Sequence, residues 1–113
     1  MMTIDLTGSA LDWAAAKCEG VAVEFYAGNF WADPHNIGRK WQWKPHADWS
    51  QAGPIIERER ITIDAREHGM LWVANSRQVG QDGITGPTPL IAAMRAFVAS
   101  KLGDEIDVPN ELI

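Results

Sequence analysis

A single cysteine, Cys18, excludes any intramolecular disulfide, so the chain must hold its shape by packing alone. That suits a reducing cytoplasm. Basic residues are also scarce. Ten Lys and Arg against fifteen Asp and Glu leave a net charge of −5, which disfavours attachment to a phosphate backbone. The carboxylates are not dense enough to imitate a nucleic acid either. No apolar run approaches the roughly 18 residues that a membrane span needs. Residues 1–5 carry neither a basic stretch nor an apolar core, so a signal peptide is not expected. These absences lead to an expected cytoplasmic protein with one domain over residues 1–113, a length that suits one core.

Catalytic motifs are missing too. There is no G-x-S-x-G elbow and no C-x-x-C or H-x-x-x-H pair. Gly80, Gly83 and Gly86 are spaced three apart before a helix but lack the lysine of a phosphate loop. Thr88 and Pro89 stand where free helix N–H groups would face a phosphate, so these glycines read as a connector. Cys18 falls on the inner face of an Ala-rich segment, where apolar surroundings raise a thiol's pKa and leave it inert. His35 and His46, with Asp33 and Asp48, could offer metal ligands, yet their spacing matches no zinc pattern. No catalytic residue, cofactor or metal is therefore expected.

Residues 86–103 carry the clearest local pattern. Thr88 fits an N-cap, Pro89 fits the first helical position, and Gly103 fits the stop, with Lys101 in the last turn facing the negative end of the dipole. Leu90, Ile91, Met94, Phe97, Val98 and Leu102 recur at helical spacing, flanked by four alanines. Only Arg95, Ser100 and Lys101 are plainly polar. A helix this apolar must be covered on more than one side, by a sheet and another helix or by a partner. A second helix is expected through residues 10–18, capped by Thr7 or Ser9 and stopped by Gly20. With Ser9 as cap, Asp12 takes the capping-box position. Leu11, Ala14, Ala15 and Cys18 share a face whose small side chains allow the later helix to approach closely, with Trp13 at the core's edge.

Residues 2–6 read as a short strand or extended arm. Residues 21–26 alternate, which predicts a strand with Val21, Val23 and Phe25 inward. Ile61 and Ile63 alternate likewise, and a turn over residues 66–69 leads into residues 70–74, a β-hairpin. Glu57, Arg58, Glu59 and Arg60 read as a solvated strand edge. Residues 78–86 are a loop into the last helix, and Ile106, Val108 and Leu112 can pack back on the core. The expected fold is α+β: two helices packed on a small, mostly antiparallel sheet.

Residues 27–54 show no sustained periodicity, and residues 48–54 read as one helical turn stopped by Gly53-Pro54. Four of the six tryptophans lie between residues 31 and 49, so this segment is expected to be a long irregular Trp-rich loop. Such loops are usually functional. The candidate interaction surface is Trp31, Arg39, Trp41, Trp43 and Trp49. Two readings stand: these tryptophans cap a small core, or they bind a partner protein, where Trp and Arg are favoured anchors. Stacking on single-stranded nucleic acid is disfavoured by the net charge. Under the binding reading, replacing Trp41 and Trp43 together by Ala abolishes binding and leaves the melting temperature nearly unchanged.

Residues 6–20, 48–59 and 86–105, in that order, resemble the NinX-like phage and prophage proteins, a family of unknown function. The resemblance implies a phage or prophage origin and expression inside a bacterial host. It brings no activity, cofactor or catalytic residue. The function it suggests is a non-enzymatic accessory protein that binds a host or phage protein, or a second copy of itself. The alternative is a small-ligand or nucleotide-handling enzyme, with its pocket between the 27–54 loop and the 88–102 helix.

Overall fold

The last helix, α3 (Pro89–Leu102), lies at the centre of the molecule. Thr88 caps it as expected, its Oγ1 accepting from the Ile91 N–H at 3.1 Å, and Gly103 ends it at φ 87°. Eight of the nine residues from Leu90 to Val98 are buried, Ile91 being the exception. The computed structural model describes residues 1–33, 38, 40–66, 71–76 and 83–112. Within them the fold is α+β, with three α-helices and two three-stranded antiparallel sheets.

One face of α3 packs on the sheet formed by β4 (Thr62–Ala65), β5 (Trp72–Asn75) and β6 (Ile84–Gly86). The register pairs Ile63 with Ala74 and Trp72 with Gly86. The β4–β5 hairpin matches the sequence expectation, although residues 67–70 of its turn lie outside the described residues. Residues 84–86, read as the end of a loop, are strand β6 because Ala74 and its neighbours offer them a ladder. The other side of α3 is covered by α1 (Gly8–Glu19) and α2 (Trp49–Glu59). On α1, Leu11, Ala14 and Ala15 are fully buried, as their shared face implied, and Gly20 stops the helix at φ 70°. The cap is Thr7, acting through its backbone without a side-chain bond, which moves Asp12 out of the capping-box position.

Helix α2 corrects the expectation of one turn. It runs through Pro54 because Gly53, lacking a Cβ, relieves the clash that proline imposes on a preceding helical residue. Asp48 caps it, accepting from the Ser50 N–H at 2.9 Å. Glu57, Arg58 and Glu59 are therefore helical rather than a strand edge. Arg58 pairs with Glu19 of α1 and Glu59, and Glu59 also pairs with Lys101 of α3 at 2.7 Å. The three helices are thus joined at one end by a line of alternating charges.

The second sheet, β1 (Val23–Tyr26), β2 (Asn29–Ala32) and β3 (Trp41–Trp43), takes two strands, β2 and β3, out of the expected loop. Ala27 and Gly28 turn β1 into β2 with φ of 53° and 81°, the paired left-handed geometry of a two-residue hairpin. Phe25 is not inward: the residue is 47% exposed, and its ring meets Phe30 edge-on at 5.0 Å.

Two polar residues lie inside. Thr3 is fully buried in a 3₁₀ turn (Thr3–Asp5) rather than an extended arm, its hydroxyl donating to the Gly103 carbonyl at 2.7 Å. Arg95, one of the few polar residues of α3, is 8% exposed. Its Nε donates to the Leu6 carbonyl at 2.8 Å and Nη1 to the Thr85 carbonyl at 2.9 Å. Burial lowers its pKa, but a guanidinium stays charged regardless. Arg95 therefore ties the segment before α1 to β6 through the core helix. As expected, Ile106 is buried and Val108 and Leu112 pack on the core.

Candidate functional site

Strand alternation puts Trp41 and Trp43 on one face of β3, opposite Ala32 and Phe30 of β2. Trp43 lies deeper. It is 8% exposed, and its Nε1 donates to the Asp12 carbonyl of α1 at 2.9 Å. Trp41 stands at the strand's outer end and is 40% exposed. The two line a cavity of about 610 Å³, floored also by Val21 and Ala32. Its rim is polar, with Lys44, Asp48 and Ser50. Gln51 braces that rim, accepting from the Lys44 N–H at 2.7 Å and donating to the Gln42 carbonyl at 2.6 Å. Hydrogen bonds from Ser50 hold the Asp48 carboxyl below its usual range.

The remaining candidates do not converge there. Trp31 points to the opposite face of the sheet, donating through Nε1 to the Tyr26 carbonyl at 3.2 Å. Trp49, 57% exposed in the first turn of α2, borders a different cavity. Arg39 and His35 lie outside the described residues. Of the ligands considered for a metal, Asp33 accepts from the Gly38 N–H at 2.8 Å. His46 is turned to a partner that the sequence did not suggest.

That partner is Asp12, 4% exposed on α1. Its Oδ1 accepts from the His46 backbone N–H at 3.1 Å, and its Oδ2 lies 2.6 Å from His46 Nδ1. The only hint in the sequence was an acidic residue amid the apolar face of an Ala-rich helix. With the Trp43 bond, Asp12 fixes both the end of β3 and the connection into α2. The His46 ring borders a second cavity, about 280 Å³, between Ala47 and Trp49 on one side and Thr88 to Ile91 on the other. The ligand-pocket alternative located its pocket between these same two segments. Cys18 is half-buried, and burial pushes its thiol up to about 11, so little thiolate exists near neutrality.

The Asp12–His46 pair gives stability a pH dependence. The hydrogen bond to Asp12 raises the pKa of His46 against the opposing effect of its own burial. Burial raises Asp12 in spite of the bonds from His46. A histidine whose folded pKa exceeds its unfolded value stabilises the fold fully below about pH 6.5. That contribution is lost as pH rises through the raised value. Urea unfolding compared near pH 6 and pH 8 is thus expected to show the wild type losing more stability than Asp12→Asn. At the lower pH the variant itself is expected to be less stable by about 1.5 kcal/mol, the worth of a hydrogen bond to a charged group. Equal losses in the two proteins would contradict this account.

No helix among the described residues is long and apolar enough to cross a membrane. A search of curated proteins finds no match. The pattern of one protein family, described as Bacteriophage P22, NinX, matches residues 2–101, a span that takes in α1, α2, all of α3 but its last residue, both sheets and the two cavities described above. The chain belongs to the phage P22 NinX family.

Proposed function

We propose that this chain is a non-catalytic phage accessory protein that acts inside the host cell by binding another protein through the surface around Trp41. The observation that carries this reading is a large indole, 40% exposed, at the mouth of an apolar-floored cavity of about 610 Å³. An exposed aromatic beside a pocket that can receive an apolar side chain has the anatomy of an interface hot spot, and the polar rim supplies hydrogen bonds around it. The net charge of −5 favours a protein over a nucleic acid as the partner. A second copy of the chain is one partner this surface could take.

The test is capture of partners from host lysate, with and without nuclease, by wild type, Trp41→Ala and Trp31→Ala. The expected result is a partner that survives nuclease, is lost with Trp41→Ala and is kept with Trp31→Ala on the opposite sheet face. A partner lost with nuclease would point to nucleic acid. A partner kept by Trp41→Ala would remove this surface from consideration.

A further inference from the structure

The cavity beside His46 shares no lining residue with the one beneath Trp41, and its chemistry is different. Ala47, Pro89, Leu90 and Ile91 make its walls apolar, and the Trp49 indole stands at its edge. Among the described residues no acidic side chain lines it. Its titratable group is His46, whose side chain is 27% exposed. Because Nδ1 is engaged by Asp12 at 2.6 Å, the ring is fixed in orientation and Nε2 is left to meet whatever enters. Among the described residues Nε2 has no protein partner.

We propose that this cavity binds a small aromatic carboxylate, its carboxylate accepting from the Nε2–H of the protonated His46 ring and its ring resting on Trp49. The choice of charge follows from the lining. A cation would meet His46, with Lys44 close enough to act on the same ring, and no carboxylate at the wall. A neutral hydrocarbon would cover Nε2 and leave it without a hydrogen bond, which costs binding energy. A carboxylate instead forms a charge-assisted bond, the stronger kind. The choice of size follows from the volume. At about 280 Å³ the cavity falls just below the roughly 300–1,000 Å³ of drug-sized sites, which suits one ring with one charged group.

The experiment titrates the full chain near pH 6, where the His46 ring is protonated, with benzoate, and separately with benzamide, its uncharged counterpart. Binding is read from the NMR signals of the His46 ring and the Trp49 indole. Benzoate is expected to give saturable shifts at both residues, with benzamide at least about tenfold weaker. Trp49→Ala, which removes an exposed side chain, is expected to weaken benzoate about tenfold by loss of stacking, whereas Trp41→Ala leaves it unchanged. His46→Gln is expected to abolish the preference for benzoate over benzamide. Equal binding of benzoate and benzamide, an absence of saturable shifts, or shifts centred on Trp41 instead of Trp49 would each overturn the assignment. Because the two cavities are separate, none of these results depends on the proposed protein-binding surface.

Discussion

Trp43→Ala is expected to lower the free energy of unfolding by about 3–5 kcal/mol, the usual cost of deleting a buried aromatic side chain. Trp41→Ala, two residues away on the same strand face, is expected to change it by less than about 1 kcal/mol. The difference follows from depth. Trp43 is 8% exposed and bonded to the Asp12 carbonyl, whereas Trp41 is 40% exposed. Removing Trp43 opens a void between β3 and α1 and breaks the bond that joins them. For a domain of this length the loss corresponds to a fall in melting temperature of about 10–25 °C. A folded domain has only about 5–15 kcal/mol in hand, so the variant would be close to unfolding. Urea titration of the two single variants checks this, and equal midpoints would contradict it. The double variant that the sequence suggested as a binding test would therefore report unfolding. Only Trp41 can be changed to probe a surface.

The parts of the fold that were legible in the sequence rest on local chemistry. Helix α3 announced itself through Thr88, Pro89, Gly103 and an apolar stripe, all within one segment. The β4–β5 hairpin showed through Ile61 and Ile63. Helix α2 was hidden because Gly53-Pro54 is ordinarily a stop, and only the neighbouring Asp48 cap and the burial of Ala52 and Ile55 outweigh it. The β1–β2 hairpin was hidden because Ala27 adopts φ 53° where asparagine or glycine is the usual signal. β3 has three residues, two of them tryptophan, too few for alternation to show.

The candidate site was less legible still. Asp12 and His46 are 34 positions apart, and Arg95 reaches a carbonyl 89 positions away. Nothing near any of these residues marks it as paired, and a lone charge on a helix normally means a solvated face. The sequence found the tryptophans as a group because they are close along the chain. The fold then separates them, one into the core, one to the far sheet face and two to different cavities, because successive strand residues alternate faces and α2 turns Trp49 away from β3.

Gly86→Ala is expected to cost about 3 kcal/mol, although it adds a single methyl group. Gly86 is buried at the end of β6, where the chain passes close to Ala92 of α3. A Cβ there would lie 2.6 Å from the Ala92 nitrogen and 3.0 Å from its Cα. Both are backbone atoms, so no rotamer change can make room. Relief requires β6 and α3 to separate, and α3 cannot retreat because α1 and α2 cover its other side. Shortening the facing side chain does not help: Ala92→Gly removes only the contact at 3.2 Å, so the double variant is expected to recover less than about 1 kcal/mol. Urea unfolding of the single and double variants is the measurement, and full recovery in the double variant would show that the side chain rather than the backbone sets the limit. The same first turn of α3 carries Leu90 and Ile91 to the His46 cavity. A displacement of α3 is therefore expected to weaken benzoate binding along with stability, while Trp43→Ala at temperatures where it remains folded leaves that wall of the cavity in place. The close approach at Gly86 thus holds the core together and also fixes one side of the proposed ligand site.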